Sequence, residues 1–183
     1  QITWAENGMT LNAAAEGGLP IWAGQTGGNL LGSYNNDVMY GAQGDDHLTG
    51  GHGDDHLDGG RGLNHALYVG NLSQFQISQA DDGQLTVVDT INDRNGTDTL
   101  DRIQRLRFTD TSVAFDTDIG QNAGGIYRLY EAALDRAPDD WGLGFWIDAL
   151  DQGCSLEQVA TAVMTSPEFE QVYGANSSNH TFV

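Results

Sequence analysis

Gly32 opens a segment that returns every nine residues without a gap. Its four copies read GSYNNDVMY (32–40), GAQGDDHLT (41–49), GGHGDDHLD (50–58) and GGRGLNHAL (59–67). Position 1 is always Gly. Position 4 is Gly in three copies. Position 6 is Asp37, Asp46, Asp55 and then Asn64. Position 8 is Met39, Leu48, Leu57 and Ala66, apolar throughout. A weaker copy, AGQTGGNLL (23–31), precedes them with Leu30 at position 8 and no acid at position 6. A period this short limits the fold severely. One copy has room for one tight loop and one short strand, so copies must stack to bury their single apolar residues. Glycine opens backbone angles that other residues avoid, which lets so short a loop turn. A surface linker has no reason to keep an apolar residue at every ninth position.

The Asp at position 6 supplies a hard anionic oxygen. Together with inward-facing loop carbonyls it suits Ca²⁺, which takes 6–8 oxygen ligands. Residues 41–58, GAQGDDHLTGGHGDDHLD, resemble the G-G-x-G-x-D-x-U-x nonapeptide of RTX (haemolysin-type) calcium-binding proteins. The resemblance implies a parallel β-roll in which two nonapeptides make one turn and loops two copies apart stack on one edge. Asp37 then faces Asp55 across one ion, and Asp46 faces Asn64 across another on the opposite edge. The second site is the weaker, because Asn64 carries no charge. Loop carbonyls of Gly32, Tyr34, Gly41, Gln43, Gly51, Gly53, Gly60 and Gly62 complete the implied ligand set. Ser33 and Ala42 depart from the family's Gly at position 2, and Asn35 from its Gly at position 4. His47, His56 and His65 share position 7. They read as an outward polar position on a strand, or else as a transition-metal site built on His47 and His65.

Residues 68–118 read as further strands. Phe75 and Ile77 alternate with polar neighbours, Asp81-Asp82-Gly83 makes a turn, and Leu85 and Val87 follow, a hairpin signature. The runs YVGNLSQFQIS and RNGTDTLDRIQRLRFTD resemble the β-rich cap that follows RTX repeats in exported proteins. A cap is physically required, since the open end of a roll bares strand edges and its apolar interior. Asp93 and Asp98 flank a turn rich in carboxylates and amides. They are candidates for a further Ca²⁺, with a self-satisfied turn as the alternative.

From residue 121 the apolar period becomes helical. Ile126, Leu129, Tyr130, Ala133 and Leu134 lie on one face, and Pro138 stops that helix. A second helix is expected over about 140–151. Ser155 and Gln158 form a capping box for a third. Ser166-Pro167 starts a fourth, which Gly174 ends. The string from Ile126 to Gly174 resembles domain-of-unknown-function family 4214, carried here by Tyr127, Leu129, Tyr130, Asp135-Arg136, Pro138-Asp139, Gly142-Leu143, Trp146, Gly153 and Ser166-Pro167-Glu168-Phe169. That family occurs in secreted and surface-layer bacterial proteins. Trp141, Phe145 and Trp146 read as core, or alternatively as a sugar-stacking surface.

The expected fold class is α+β: a short parallel β-roll with a β-rich cap over 1–118, then a small all-α domain over 119–183. The formal charge is −19, from 26 Asp+Glu against 7 Lys+Arg. That repels nucleic acid and anionic membrane surfaces, and no apolar run is long enough to span a membrane. No hydrolase or metalloprotease motif is present, and Cys154 is the single cysteine. The chain therefore reads as a non-catalytic, calcium-dependent folding module of a secreted or cell-surface bacterial protein. Its partners would be Ca²⁺ ions and a type I secretion apparatus. Two alternatives stand beside this: an adhesin or polysaccharide-binding module, and the C-terminal part of a secreted enzyme such as a protease or polysaccharide-modifying enzyme. The start at Gln1 suggests a fragment or processed product. The ending Asn179–Val183 suggests either a truncation or a secretion signal.

Overall fold

The computed structural model describes residues 3–4, 10–12, 20–117 and 121–174. The expectations attached to Gln1 and to Asn179–Val183 lie outside these residues. The chain forms two compact units, residues 1–115 and 116–183.

In the first unit each nine-residue period yields one three-residue strand. The early strands are β1 (Thr3–Trp4), β2 (Thr10–Asn12), β3 (Pro20–Trp22) and β4 (Asn29–Leu31). The four copies supply β5 (Val38–Tyr40), β6 (His47–Thr49), β7 (His56–Asp58) and β8 (His65–Leu67). Successive strands alternate between two parallel sheets. One sheet has the order β1-β3-β5-β7 and the other β2-β4-β6-β8 before either continues. Position 8 points inward from both. Ile21, Met39 and Leu57 stack in register on one side, and Leu30, Leu48 and Ala66 on the other, all at 0–1% exposure. The core is therefore one residue deep from each sheet, and its stability depends on neighbours in the stack.

The roll does not end with the fourth copy. Met39 pairs with Leu57, and Leu57 pairs next with Leu100 of β11 (Thr97–Asp101). In the other sheet Ala66 pairs with Leu106 of β12 (Arg105–Arg107). Equivalent residues stand 18 apart inside the repeats but 43 apart at this step. The difference is taken up largely by an inserted hairpin, β9 (Phe75–Gln79) and β10 (Leu85–Asp89), turning at Gly83 with φ 90°. β10 pairs antiparallel with β11 and β9 with β10, which ends one sheet, and β13 (Ser112–Ala114) on β12 ends the other. Tyr68, Phe75 and Phe108 seal the end of the core, with ring centroids 4.9–5.6 Å apart. The β-rich cap is present, and residues 93–108 within it add one more turn of the roll.

The second unit is helical: α1 (Asn122–Leu134), α2 (Asp140–Asp151), α3 (Leu156–Met164) and α4 (Pro167–Tyr173). α1 ends on Asp135 in the left-handed conformation, φ 52°. Ser155 and Gln158 make both bonds of the capping box, at 2.8 and 3.2 Å. Asp139 caps α2 through the Gly142 N–H, and Ser166 caps α4 through that of Phe169. Ile126, Tyr130, Val159, Val163 and Phe169 form the core of this unit. Together the two units give the α+β class expected from the sequence.

Leu57 sits mid-stack with apolar neighbours on both sides. Leu57→Ala should cost the first unit about 2–5 kcal/mol, read by denaturant titration of the β signal in saturating Ca²⁺. Unfolding of α1–α4 should be unchanged.

Candidate metal centre

The loops that precede the strands stack in the same register as the strands. Within each loop, positions 5 and 6 reach in opposite directions along the roll. At position 6 the side chain accepts from the backbone N–H one turn earlier. Asp55 Oδ1 takes the Asp37 N–H at 2.8 Å, and Asp98 Oδ1 takes that of Asp55 at 2.9 Å. On the opposite edge Asp46 takes the Gly28 N–H at 2.7 Å, Asn64 takes that of Asp46 at 3.1 Å, and Gln104 takes that of Asn64 at 2.8 Å. At position 5 the side chain accepts from one turn later. Asn36 takes the Asp54 N–H, Asp54 that of Thr97, and Asp45 that of Leu63, at 2.8–3.0 Å. Asp37 and Asp55 are thus stacked on one edge, and Asp46 and Asn64 on the other.

These bonds use only half of each carboxylate. Asp37, Asp46, Asp55 and Asp98 are at most 2% exposed. Asp37 Oδ2 is held by the N–H and hydroxyl of Ser33, at 2.7 and 2.8 Å. Asp37 Oδ1, Asp46 Oδ2 and Asp55 Oδ2 are buried without any hydrogen-bond partner. A buried carboxylate oxygen left so is costly unless a cation or a proton meets it. A side chain at Gly50 would fall on Asp55 Oδ2, and one at Gly41 would lie 3.0 Å from the Asp46 carboxyl carbon. Position 1 is glycine because a Cβ there would meet the carboxylate at Gly50 and the backbone carbonyl one turn on at Gly32, Gly41 and Gly59.

The other predicted ligands lie in the same loops. Gly51, Gly53, Gly60 and Gly62 have φ between 75° and 122°, the region that turns the loop. Ala42 adopts φ 68° where the RTX pattern has Gly. Gly32 and Gly41 pack against the carbonyls of Gly50 and Gly59 one turn on. The Gln43 carbonyl already accepts the Gly27 N–H at 2.9 Å. Tyr34 stands 73% exposed beside His52. Asp93 and Asp98 part company: Asp93 is exposed in its turn at φ 55°, while Asp98 is buried in the stack beyond Asp55. The turn is organised instead by Asp89, which the sequence reading missed. Its carboxylate binds the Arg94 guanidinium at 2.6 and 2.7 Å and accepts from Ile91 and Asn95.

Among the described residues no three His, Cys, Asp or Glu side chains converge on one point. A cation here would draw on paired carboxylates and backbone carbonyls, an all-oxygen set that fits Ca²⁺ and not a soft metal. His47 and His65 stack with centroids 4.7 Å apart, two imidazoles that rank along one sheet face. In the helical unit Trp146 Nε1 donates to the Tyr130 hydroxyl at 2.9 Å, and Phe145 is half exposed against it. The Trp141 side chain lies outside the described residues.

Burial pushes the Asp46 and Asp55 carboxyls up to about 7 and that of Asp98 to about 8. Backbone N–H donors offset part of this, and neighbouring carboxylates add to it. Asp89 behaves differently. Burial raises its pKa, but the bonds from Arg94, Ile91 and Asn95 outweigh that and hold it at about 2.

Residues 31–65 match the RTX calcium-binding nonapeptide repeat in four copies. Residues 111–170 match a domain of unknown function, DUF4214. The chain therefore carries calcium-binding repeats of the kind found in secreted proteins, followed by a DUF4214 region. Among solved structures it is similar to the extracellular lipase LipA from Serratia marcescens, at 28% identity over 46% of this chain, with a TM-score of 0.25. The match spans 14% of that lipase's length. No curated protein matches the chain.

The raised carboxyls set a pH dependence for the calcium-free protein. Asp46, Asp55 and Asp98 hold a proton more tightly folded than unfolded, where their pKa is near 3.8. Their contribution is full below about 4 and is lost as pH rises through about 7 to 8. In chelator the β signal should therefore be larger and more heat-resistant at pH 5 than at pH 8, where the roll is open. A melt that rises with pH over this range contradicts the burial described above.

Proposed function

We propose that this chain is a calcium-dependent folding module of a secreted or cell-surface bacterial protein and is not itself catalytic. The observation that carries the reading is the row of buried carboxylate oxygens without partners in the stacked loops, Asp37 Oδ1, Asp55 Oδ2 and Asp46 Oδ2. Asp37 and Asp55 hold one Ca²⁺ with carbonyls of Gly32, Tyr34, Gly51 and Gly53. Asp46 and Asn64 hold a weaker one with carbonyls of Gly41, Gln43, Gly60 and Gly62. In a calcium-poor cytosol these carboxylates repel and the thin roll opens, which suits passage through a type I secretion channel. Outside the cell, Ca²⁺ near millimolar fills sites whose Kd lies around 10⁻⁴–10⁻³ M. Binding free energy then adds to folding free energy, because only the folded loops form the sites. Residues 1–118 act as the calcium-responsive part and 119–183 as a separate helical part.

A second reading, that the chain presents a polysaccharide or cell-surface ligand site, has less support. The exposed Phe145 ring favours it. The Trp146 bond to Tyr130 argues against a free stacking platform there. The Trp22 and Tyr40 rings stack on each other at 4.2 Å and so cover one another's faces. A third reading, the C-terminal part of a secreted enzyme, concerns chain beyond this sequence and leaves the module's own role as described.

Calorimetry with Ca²⁺, against Mg²⁺ as control, tests the proposal together with far-UV circular dichroism. Chelated protein should gain β signal with Ca²⁺ and not with Mg²⁺. Asp55→Ala should weaken binding at least tenfold, since it strips the most complete site. A β signal that is indifferent to Ca²⁺, or an Asp55→Ala variant with unchanged affinity, contradicts the proposal.

A further inference from the structure

The RTX match ends at residue 65, yet the loop stack continues across the inserted hairpin. The loop leading into β11 reproduces the geometry of the repeat. Gly96 has φ 77° and packs on the Gly53 carbonyl, as Gly53, φ 107°, packs on Asn35. Thr97 donates to Asp54 as Asp54 donates to Asn36. Asp98 accepts from Asp55 as Asp55 accepts from Asp37. Leu100 then occupies the inward position below Leu57. Gly96-Thr97-Asp98-Thr99-Leu100 is thus a third rung on the Asp37–Asp55 edge, equivalent to Gly53–Leu57.

A second observation points to a ligand at this rung. Tyr68 is 6% exposed, and its hydroxyl is directed at the Asp98 carboxylate, with Asp55 close by. Asp55 Oδ2 is buried and has no hydrogen-bond partner. The corresponding place on the opposite edge differs. There Gln104 replaces the acid, and Arg102 enters its loop in the left-handed conformation, φ 53°. Of the two edges, among the described residues, the Asp55–Asp98 side alone combines two acids, a glycine turn and a buried hydroxyl.

We propose that the loops 50–55 and 93–98 form a further Ca²⁺ site, with Asp55 and Asp98 as its carboxylates and the Tyr68 hydroxyl oriented toward it. This rests on the calcium reading above and extends it beyond the repeats. Asp55 would then serve ions on both of its sides. The ion would pin the inserted hairpin's partner strand β11 to β7, so closure of the cap would itself depend on calcium. The pairing differs from that expected from sequence, where Asp98 was grouped with Asp93.

The test is the number of Ca²⁺ ions bound by the full chain, measured by calorimetry and by equilibrium dialysis, for the wild type, Asp98→Asn and Tyr68→Phe. Asp98→Asn should weaken one site at least tenfold, leaving an Asp–Asn pair like Asp46–Asn64, and keep the remaining affinities. Tyr68→Phe keeps the ring in the aromatic cluster and should weaken one site several-fold. It decides the matter if Asp98→Asn does not fold. An unchanged ion count and affinity in Asp98→Asn, or unchanged affinities in Tyr68→Phe where Asp98→Asn is unfolded, overturns this site while the calcium reading stands. A wild type that binds no Ca²⁺ overturns both.

Discussion

Everything in the first unit follows from placing carboxylates inside a stack only one apolar residue deep. Asp46, Asp55 and Asp98 each lock to the loop one turn earlier through one oxygen, and Asp37 is held by Ser33 within its own loop. Three of them leave the other oxygen buried and unmatched. The same side chains that set the loop register therefore carry an unpaid electrostatic cost. A proton or a cation can relieve it, and the all-oxygen surroundings favour a hard divalent ion. The fold couples its own register to the charge state of four aspartates.

Much of this was legible in the sequence. The return of Gly and of an apolar residue at every ninth position calls for stacked copies. The RTX resemblance implies that loops two copies apart stack, and with them Asp37 and Asp55. The Asp81-Asp82-Gly83 turn and the caps at Ser155 and Ser166 locate the hairpin and the helices. The added turn at 93–108 was not legible, because the β9–β10 hairpin breaks the 18-residue spacing that makes a repeat visible. With Gly96, Asp98 and Leu100 at the right internal offsets, the signal was present only within the loop. Asp93 stands apart from Asp98 for a related reason. It is close to Asp98 in sequence, but the roll pairs residues across turns and not within them. Asp89 escaped notice because its role depends on Arg94 folding back onto it across a turn.

The helical unit rests on different physics. Its core is closed by Ile126, Tyr130, Val159, Val163 and Phe169, and α2, α3 and α4 carry side-chain caps. Arg136 joins Glu168 through two bonds, at 2.6 and 2.9 Å, and lies over the Tyr130 ring. Nothing in that arrangement calls for an ion. The two units are thus expected to answer differently to calcium, although they belong to one chain.

Amide hydrogen exchange, followed residue by residue in Ca²⁺ and in chelator, tests the central claim most directly. The N–H groups of Asp37, Asp46 and Asp55 are held by carboxylates and amides one turn away. They should be strongly protected in Ca²⁺ and exchange near the open-chain rate in chelator, while those of α1–α4 stay protected in both. Equal protection of the loop amides in both conditions would mean that the roll holds its buried carboxylates without an ion, and would contradict the account.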